Sequence, residues 1–286
     1  MFKRAYVEIT NVCNLHCSFC HGTVRPRRTM TVSEFDLIAG KLRPYTDYLY
    51  FHVLGEPLLH PQLAELLAAA YARGFRVCLT TNGVLLPRQA ETLLAAPALH
   101  KVSVSLHSFE GNPMTGELTD YLEGVWAFAD RAAARGILVS LRLWNGGGAE
   151  MRNGEIEAFL SQKLGCDVSA LTPDRTGGRK LREQLYLERA DKFDWPDVSA
   201  PERETEYCHG LSQQIAVLCD GTVVPCCLDG DGAAALGNLM EEDLEDILRS
   251  PRAEAIRQGF RCRRPTEELC RRCGYATRFN RKGGSL

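Results

Sequence analysis

The sequence predicts an α/β fold, a partial (βα)6 barrel followed by a small α+β domain, because strand-like and helix-like segments alternate along the chain. Five segments alternate apolar and polar residues with the period of two that β-strands show, and they contain Ile9, Val53, Leu79, Val104 and Leu141. A helix-like or glycine-containing stretch follows each of these segments. Such an order is typical of a parallel sheet.

One face of every predicted strand is polar, whereas a parallel sheet covered on both faces reads as continuous Val, Ile and Leu. The polar side chains are Tyr6, Glu8 and Thr10; Tyr50 and His52; Cys78, Thr80 and Asn82; Ser103, Ser105 and His107; and Ser140, Arg142 and Trp144. A TIM-like barrel accounts for this pattern, because its outer face packs on helices while its inner face can line a polar cavity.

Apolar residues at helical spacing predict the helices between these strands, over residues 31–42, 61–73, 87–95 and 121–135. The periodicity then fades, and we interpret residues 166–201 as a last barrel unit and a linker. The barrel domain is accordingly assigned to residues 1–200.

Residues 201–286 are predicted to form the second domain, a β-hairpin followed by a helix. The hairpin runs from 214 to 227, with Asp220-Gly221 as a two-residue type I′ turn, since this dipeptide tolerates the positive φ angles of that turn. A single helix is predicted over residues 243–259.

Composition describes an ordinary globular protein of 286 residues, 45% hydrophobic, with a net charge of -2. No run of about 18 uncharged apolar residues or signal-peptide core is present, so we expect a soluble cytoplasmic protein with no membrane partner. Nothing in the overall charge predicts a nucleic-acid partner. A basic excess from Arg257 onward either balances an anionic cluster nearby or contacts a phosphate or RNA.

The chain has twelve cysteines, too many to be incidental in a cytosolic protein, where disulfides are rare. Three of them, Cys13, Cys17 and Cys20, lie near the N-terminus, and most of the others follow residue 207. Two metal sites, one near each end of the chain, are the simplest interpretation.

The N-terminal cysteines form a CxxxCxxC motif directly after a predicted strand. Three thiolates on one loop can hold three irons of a 4Fe-4S cluster and leave the fourth iron open for another ligand. A zinc site is the alternative, because His16 or His21 could supply a fourth ligand to that metal.

This motif, with aromatic Phe19 before its last cysteine, resembles the radical SAM superfamily. The resemblance covers most of residues 5–145 and implies that the open iron chelates the amino and carboxylate groups of S-adenosyl-L-methionine (SAM). Gly55-Glu56-Pro57 is similar to the family's GGEP motif, which orders the SAM amino group, although Leu54 replaces its first glycine. The family also implies SAM contacts for the residues that match Phe19, Gly55, Glu56, Asn82, Ser105 and Arg142.

Plainer interpretations of these residues remain open. Gly55-Glu56-Pro57 could be only a turn, Arg142 could only pair with Glu8 or Glu56, and Ser105 could be only a strand residue with a satisfied hydroxyl group.

The later cysteines resemble the SPASM and Twitch domains, in which a cysteine, a spacer, a glycine, four residues and a second cysteine precede a CxxC pair. Cys208, Gly221 and Cys226 match that order, and Cys270 and Cys273 supply the pair. The resemblance implies one auxiliary 4Fe-4S cluster with these four cysteines as ligands. A four-cysteine zinc site is the alternative.

The remaining thiols are assigned from the predicted hairpin. Cys219 pairs with Thr222 across the turn and lies about 13 Å along the strand from Cys226, too far to share one cluster. Cys227 points to the opposite face from Cys226. We expect Cys227 to be a buried thiol, as we do Cys78 and Cys166, and leave Cys262 unassigned.

The family resemblance implies a shared first reaction, in which an electron from a flavodoxin or ferredoxin reaches the N-terminal cluster and SAM yields a 5′-deoxyadenosyl radical. An auxiliary cluster with four protein ligands has no open iron, so we expect it to relay an electron during net oxidation or radical bond cleavage of a small polar substrate. The architecture resembles the Twitch dehydrogenase of aminoglycoside biosynthesis, which oxidises a cyclitol alcohol.

Other functions stay open. One is C–C cleavage of a modified nucleobase by an enzyme like queuine lyase, with the ring stacked on Trp144 or Tyr50. Another is peptide (RiPP) maturation, disfavoured because the first strand begins near Ala5 and leaves no room for a leader-binding domain, and because His107 stands where such relatives often have Asp. A remote alternative is a non-enzymatic iron–sulfur or zinc sensor.

Substrate contacts are expected at the barrel mouth, where barrel enzymes place their chemistry. Tyr6, Glu8, Tyr50, His107 and Trp144 are the predicted substrate-binding residues. His107 and His52 are the predicted catalytic residues, because an imidazole can remove a hydroxyl proton near neutral pH.

Overall fold

The computed structural model describes residues 1–112, 116–148, 152–174 and 177–280. The strands are β1 (Arg4–Val7), β2 (Tyr48–Phe51), β3 (Arg76–Thr81), β4 (Leu99–Ser105), β5 (Leu138–Gly146), β6 (Arg179–Arg182), β7 (Leu185–Asp191), β8 (Gln214–Val217), β9 (Thr222–Val224) and β10 (Gly237–Asn238). The α-helices are α1 (Val32–Leu42), α2 (Leu63–Ala72), α3 (Leu86–Ala95), α4 (Leu118–Ala134), α5 (Asn153–Leu164), α6 (Leu244–Arg249), α7 (Pro251–Arg261) and α8 (Glu268–Arg271).

The chain divides into two compact units. The terminal unit comprises Met1–Val12, His21–Gly55 and Phe193–Leu286, and the central unit comprises Cys13–Cys20 and Glu56–Lys192. The domain boundary at residue 200 stays a prediction. In the part of the chain that the structure describes, no helix combines the length and the apolar character needed to cross a membrane.

In the terminal unit, β1 is a central strand that pairs in parallel with both β2 and β8. From β8 the chain turns into β9, which pairs antiparallel with β8 and with β10. The predicted hairpin therefore extends the sheet that contains β1, because its first strand takes the free edge of β1.

In the central unit, β3, β4, β5 and β7 pair in parallel in that order, and β6 pairs antiparallel with β7. The last barrel unit predicted over residues 166–201 therefore contributes β7. The predicted α/β class is confirmed, and α1 to α4 confirm the four predicted helices to within a few residues at each end.

Two local predictions for the C-terminal segment are wrong. The single helix over residues 243–259 is broken at Ser250-Pro251, because proline disfavours a helical residue before it. Pro251 instead begins α7, where its missing N–H is not needed, and the Ser250 hydroxyl caps that helix by accepting from the Ala253 N–H.

The predicted two-residue hairpin turn is a three-residue loop, Cys219–Asp220–Gly221. The Leu218 N–H donates to the Thr222 carbonyl at 2.8 Å, and Gly221 closes the loop with φ of +87°. A left-handed residue at the third position is typical of such loops. Cys219 therefore lies in the loop and does not pair with Thr222.

The buried carboxylate of Glu8 joins its own strand segment to three other segments of the terminal unit. Glu8, which is fully buried, accepts two hydrogen bonds from the Arg25 guanidinium at 2.7 Å each. Its oxygens also accept from the backbone N–H groups of Leu54 at 3.3 Å and Cys219 at 3.0 Å. A buried charge is tolerated when it is paired and hydrogen-bonded in this way.

We predict that Glu8→Gln lowers the melting temperature by roughly 10 °C, because it leaves the Arg25 charge without its partner in a buried site. Thermal unfolding under anaerobic conditions measures the change. The matched control is Glu91→Gln, which breaks the solvent-exposed pair with Arg131 and is expected to shift the melting temperature little. Equal shifts in the two variants would contradict the prediction.

Candidate functional site

The CxxxCxxC motif lies on a loop of the central unit, and its thiols are unequally buried. Cys13 and Cys17 are half-buried, and Cys20 is exposed. Burial, with the neighbouring thiols, raises the pKa of Cys17 to about 11, although a hydrogen bond from Asn112 opposes the rise. Three thiolates at this position therefore need a cation to compensate them, as iron would.

Two donors point at the sulfur atoms of this loop. The Leu15 N–H donates to Cys13 Sγ at 3.4 Å, and the Asn112 side-chain amide donates to Cys17 Sγ at 3.0 Å. Hydrogen bonds to cysteine sulfurs are a feature of iron–sulfur sites. The loop fits the predicted cluster in this respect.

Asn112 is a residue of the site that sequence reasoning missed. It lies in the segment after β4, where the Gly111 carbonyl accepts from the Ser18 N–H at 2.8 Å and the Phe19 ring packs on the Gly111 backbone. No motif marks Asn112 in the sequence, because its partners on the cysteine loop are about 95 residues away.

Glu56 connects the Gly55-Glu56-Pro57 turn to the end of β3. Its buried carboxylate accepts from the Leu58 N–H at 3.0 Å, the Thr81 hydroxyl at 2.7 Å and the Asn82 N–H at 2.8 Å. Burial raises the pKa of Glu56 to about 7, even though these hydrogen bonds act to lower it. The Asn82 side chain in turn donates to Asn14 Oδ1 at 2.9 Å, so this network reaches the cysteine loop.

Gly55, in the terminal unit, is required by its surroundings. Its φ is +75°, and a Cβ atom here would lie within 2.3 Å of the Thr10 carbonyl oxygen, so only glycine fits. The turn that was the plainer interpretation of Gly55-Glu56-Pro57 is therefore present together with the buried carboxylate of Glu56.

Arg142 pairs with Glu188, at 3.3 Å, rather than with Glu56. Burial acts to raise the pKa of Glu188, but the charges of Arg142 and Lys101 outweigh it, so the pKa is lowered and the carboxylate is ionised. The guanidinium of Arg142 also lies 4.7 Å from the centre of the Trp144 ring. Ser105 is the β4 residue in register with Arg142.

His107 is buried at the end of β4. Its ring lies 4.8 Å from that of Phe19, and its Nδ1 lies 3.1 Å from the Arg142 carbonyl oxygen and 3.4 Å from the Trp144 nitrogen. Burial lowers the pKa of His107 to about 4, and the Arg142 charge adds to this effect. The imidazole is therefore neutral at physiological pH.

The other predicted substrate residues lie in the terminal unit. Tyr6 packs its ring against Tyr50 at 5.1 Å and His52 at 5.0 Å. Glu8 is occupied by the hydrogen bonds described above, and its contact with substrate stays a prediction.

The four cysteines predicted to hold the auxiliary cluster all lie in the terminal unit. Burial raises the pKa of Cys226 well above its usual value, and the nearby thiols of Cys208, Cys227, Cys270 and Cys273 add to the rise. A cationic iron–sulfur core bound by the predicted ligands would favour their thiolate forms. Among the described residues, no three His, Cys, Asp or Glu side chains are arranged to hold one metal ion.

The remaining thiols agree with the prediction in part. Cys78 is buried as expected, whereas Cys166 is exposed and follows the left-handed Gly165 that ends α5. Cys227 is half-buried, less than expected, and packs against a buried cluster that includes Tyr6 and Leu54. Cys262, left unassigned, is exposed.

The basic C-terminal segment is largely paired with carboxylates. The pairs are Arg257 with Glu254, Arg263 with Glu206, Arg271 with Glu202, and Arg272 with Glu268. These pairings account for much of the excess charge without a nucleic-acid partner.

We predict that Cys226→Ser lowers the iron content from about eight to about four per chain, because one four-iron cluster is lost. Cys219→Ser and Cys227→Ser are the matched controls, since neither thiol belongs to the proposed ligand set, and both should keep about eight irons. Iron and acid-labile sulfide analysis measures the outcome. Loss of about four irons from either control would show that the ligand set is wrong.

Two family models match the chain. The radical SAM superfamily model matches residues 7–153, and the model of the iron–sulfur cluster-binding SPASM domain matches residues 208–274. The first range contains the CxxxCxxC loop and Glu56, and the second contains the four auxiliary cysteines.

Individual proteins are similar to this chain. GTP 3',8-cyclase of Chlorobaculum tepidum is 36% identical over 141 residues, 45% of this chain and 40% of that protein, so the match spans less than half of this relative. Probable GTP 3',8-cyclase of Sulfurisphaera tokodaii is 35% identical over 290 residues, 89% of each chain. The crystal structure of BtrN in complex with AdoMet and 2-DOIA is 18% identical with a TM-score of 0.57, covering 96% of this chain and 93% of that one. This likeness confirms the predicted partial-barrel fold.

The matched domains also identify the cofactors. A radical SAM domain binds SAM on a 4Fe-4S cluster, and a SPASM domain binds an auxiliary iron–sulfur cluster. The predicted SAM and iron–sulfur cofactors are thereby confirmed, in preference to the zinc alternatives. Because the superfamily model matches more than half of the residues, this chain belongs to the radical SAM superfamily.

Proposed function

We propose that this chain catalyses the net oxidation of a small polar substrate, by removal of a hydrogen atom from a carbon that bears a hydroxyl group. The observation that carries the proposal is that Cys208, Cys226, Cys270 and Cys273, the four predicted ligands, all lie within the range matched by the SPASM model. Four protein ligands leave no iron open for substrate, so a cluster held there is suited to electron transfer.

When bound, SAM and its 4Fe-4S cluster would supply a 5′-deoxyadenosyl radical for hydrogen removal, and the auxiliary cluster would supply a route for the electron released afterwards. The first electron comes from an external one-electron reductant, a flavodoxin or ferredoxin. Oxidation of an alcohol to a carbonyl then balances as one hydrogen atom lost from carbon, one proton lost from oxygen and one electron passed on.

The central unit supplies the proposed SAM contacts. Glu56 is buried with a pKa of about 7, so a neighbouring ammonium group, such as that of SAM, would favour its ionised form. Its hydrogen bonds to Thr81 and Asn82 fix the orientation of the carboxylate. Arg142 and Ser105, in register on adjacent strands, are proposed for the ribose or carboxylate of SAM.

His107 is the proposed base. The Arg142 carbonyl can only accept, so its 3.1 Å contact with Nδ1 requires the Nδ1–H tautomer, which leaves the Nε2 lone pair available to accept a proton. In this tautomer the Trp144 N–H, at 3.4 Å from Nδ1, does not form a hydrogen bond to that nitrogen. Its pKa of about 4 keeps the ring neutral at physiological pH but also makes it a weak base, so it is suited to accept the hydroxyl proton after hydrogen removal has made that proton more acidic. Packing against Phe19 holds the ring in place.

Cyclisation of a purine nucleotide is the second candidate. It is supported by the relative named probable GTP 3',8-cyclase, which is 35% identical along 89% of this chain. Nucleobase cleavage and peptide maturation remain possible reactions for the same radical, and they rest on the fold alone.

Product analysis distinguishes the two leading candidates. Reduced, reconstituted protein is incubated with SAM and either GTP or 2-DOIA, the compound named in the BtrN structure. Mass spectrometry then measures both the products formed from the substrate and the 5′-deoxyadenosine formed from SAM. Oxidation would appear as a product that has lost two hydrogen atoms, formed from 2-DOIA or from another hydroxylated compound tested in parallel, and we expect this outcome rather than turnover of GTP. Turnover of GTP to a cyclised nucleotide, with no oxidation of polyols, would replace the first proposal by the second.

We predict that His107→Ala still forms 5′-deoxyadenosine from SAM in the absence of substrate but loses product formation about a hundredfold, the contribution typical of a general base. The matched control, His100→Ala, removes a half-buried imidazole from the same strand and should keep both activities. Equal loss of both activities in His107→Ala would assign the residue to structure or SAM binding, and unchanged turnover would remove it from the site.

A further inference from the structure

We infer that Asn112 is a positioning residue that raises the reduction potential of the SAM-binding cluster, by donating a hydrogen bond from its side-chain amide to the sulfur of Cys17. The inference rests on the assignment of Cys17 as a cluster ligand. It does not depend on the substrate, because the property concerned belongs to the cluster before substrate binds.

The orientation of the Asn112 amide follows from its partners. The His16 backbone N–H, which can only donate, lies 2.8 Å from Oδ1, so the oxygen must point toward His16. Nδ2 then points toward the Ser108 carbonyl at 2.7 Å and Cys17 Sγ at 3.0 Å. The amide nitrogen of Asn112 can donate two hydrogen bonds, and the Ser108 carbonyl can accept but not donate. The contacts with His16, Ser108 and Cys17 therefore all agree with one orientation of the amide.

The surrounding contacts hold Asn112 in place. The carbonyl of the preceding residue, Gly111, accepts from the Ser18 N–H at 2.8 Å, and its backbone lies against the Phe19 ring. Two consecutive residues of this segment are therefore held by the cysteine loop. An amide whose acceptor and both donors are engaged has little freedom to turn away from the sulfur. The hydrogen bond to Cys17 is thus built into the fold of the central unit.

A donor at this sulfur acts on the cluster's charge. Reduction adds an electron to a cluster whose negative charge is shared with its thiolate ligands, and a hydrogen bond to sulfur stabilises the more negative, reduced form. The bond to Cys17 comes from a side chain, whereas the bond to Cys13 comes from the Leu15 backbone at 3.4 Å. Substitution of Asn112 can therefore remove a sulfur hydrogen bond and leave the peptide backbone intact.

The test is the midpoint potential of the SAM-binding cluster, measured by EPR-monitored redox titration of the protein with both clusters loaded and without substrate. We expect Asn112→Ala to lower the midpoint potential of this cluster by about 59 mV, which for a one-electron couple is a tenfold change in the reduction equilibrium constant. Asn112→Asp keeps the acceptor for His16 but cannot donate when ionised, so its potential should fall at least as far.

Two controls separate this effect from a general disturbance. The auxiliary cluster in the same molecules should keep its potential. Asn145→Ala removes another buried amide of the central unit, one that bonds to Glu110 and Asn153 and to no sulfur, and should leave both potentials unchanged.

Several results would overturn the inference. These are unchanged potentials in both Asn112 variants, equal falls at both clusters, or loss of the SAM-binding cluster from both variants, which would make Asn112 an assembly residue. Failure of the oxidation proposal would instead appear in product analysis and would leave these potentials as expected.

Discussion

The buried charge of Glu8 constrains the whole terminal unit. A carboxylate with no exposed surface needs compensation, and three separate segments provide it: Arg25 from the segment after the cysteine loop, Leu54 after β2 and Cys219 in the hairpin loop. Arg25 also donates to the Gly230 carbonyl at 2.7 Å. The segment that follows the CxxxCxxC loop is thereby fixed to the segment that follows Cys226, one of the proposed auxiliary ligands.

In the central unit, the side-chain amides of two asparagines connect separate segments of the chain to the cysteine loop. Asn82 reaches the cysteine loop through Asn14, and Asn112 reaches it through His16 and Cys17. Because Glu56 holds the backbone of Asn82, the proposed SAM contact and the support of the cluster loop belong to one network. Supporting contacts of this kind orient the ligands of a metal site and tune its properties.

Family membership and substrate are separate questions for this protein. The SAM chemistry follows from the matched domains, but a fold shared with BtrN at 18% identity does not carry that protein's substrate with it. The proposed oxidation depends on a neutral, buried His107 beside Phe19 and on the four predicted auxiliary ligands within the SPASM match. The names of the relatives point instead to a nucleotide as the substrate of those proteins.

The sequence by itself determined the repeating α/β order, the cysteine motifs and the cofactors, because strand periodicity and ligand spacing are local patterns. It did not determine the hairpin register, where Gly221 takes the third position of a longer loop, or the break before Pro251 in the helix. Both depend on a choice between two allowed local structures.

Only the tertiary structure decided which partners the buried polar groups have. Arg142 pairs with Glu188, Glu8 pairs with Arg25, and Asn112 approaches Cys17, and no local pattern predicts these contacts. The physical reason is that a buried charge or amide takes whichever partner the folded chain brings within hydrogen-bonding distance. In each of these cases the partner comes from another segment of the chain.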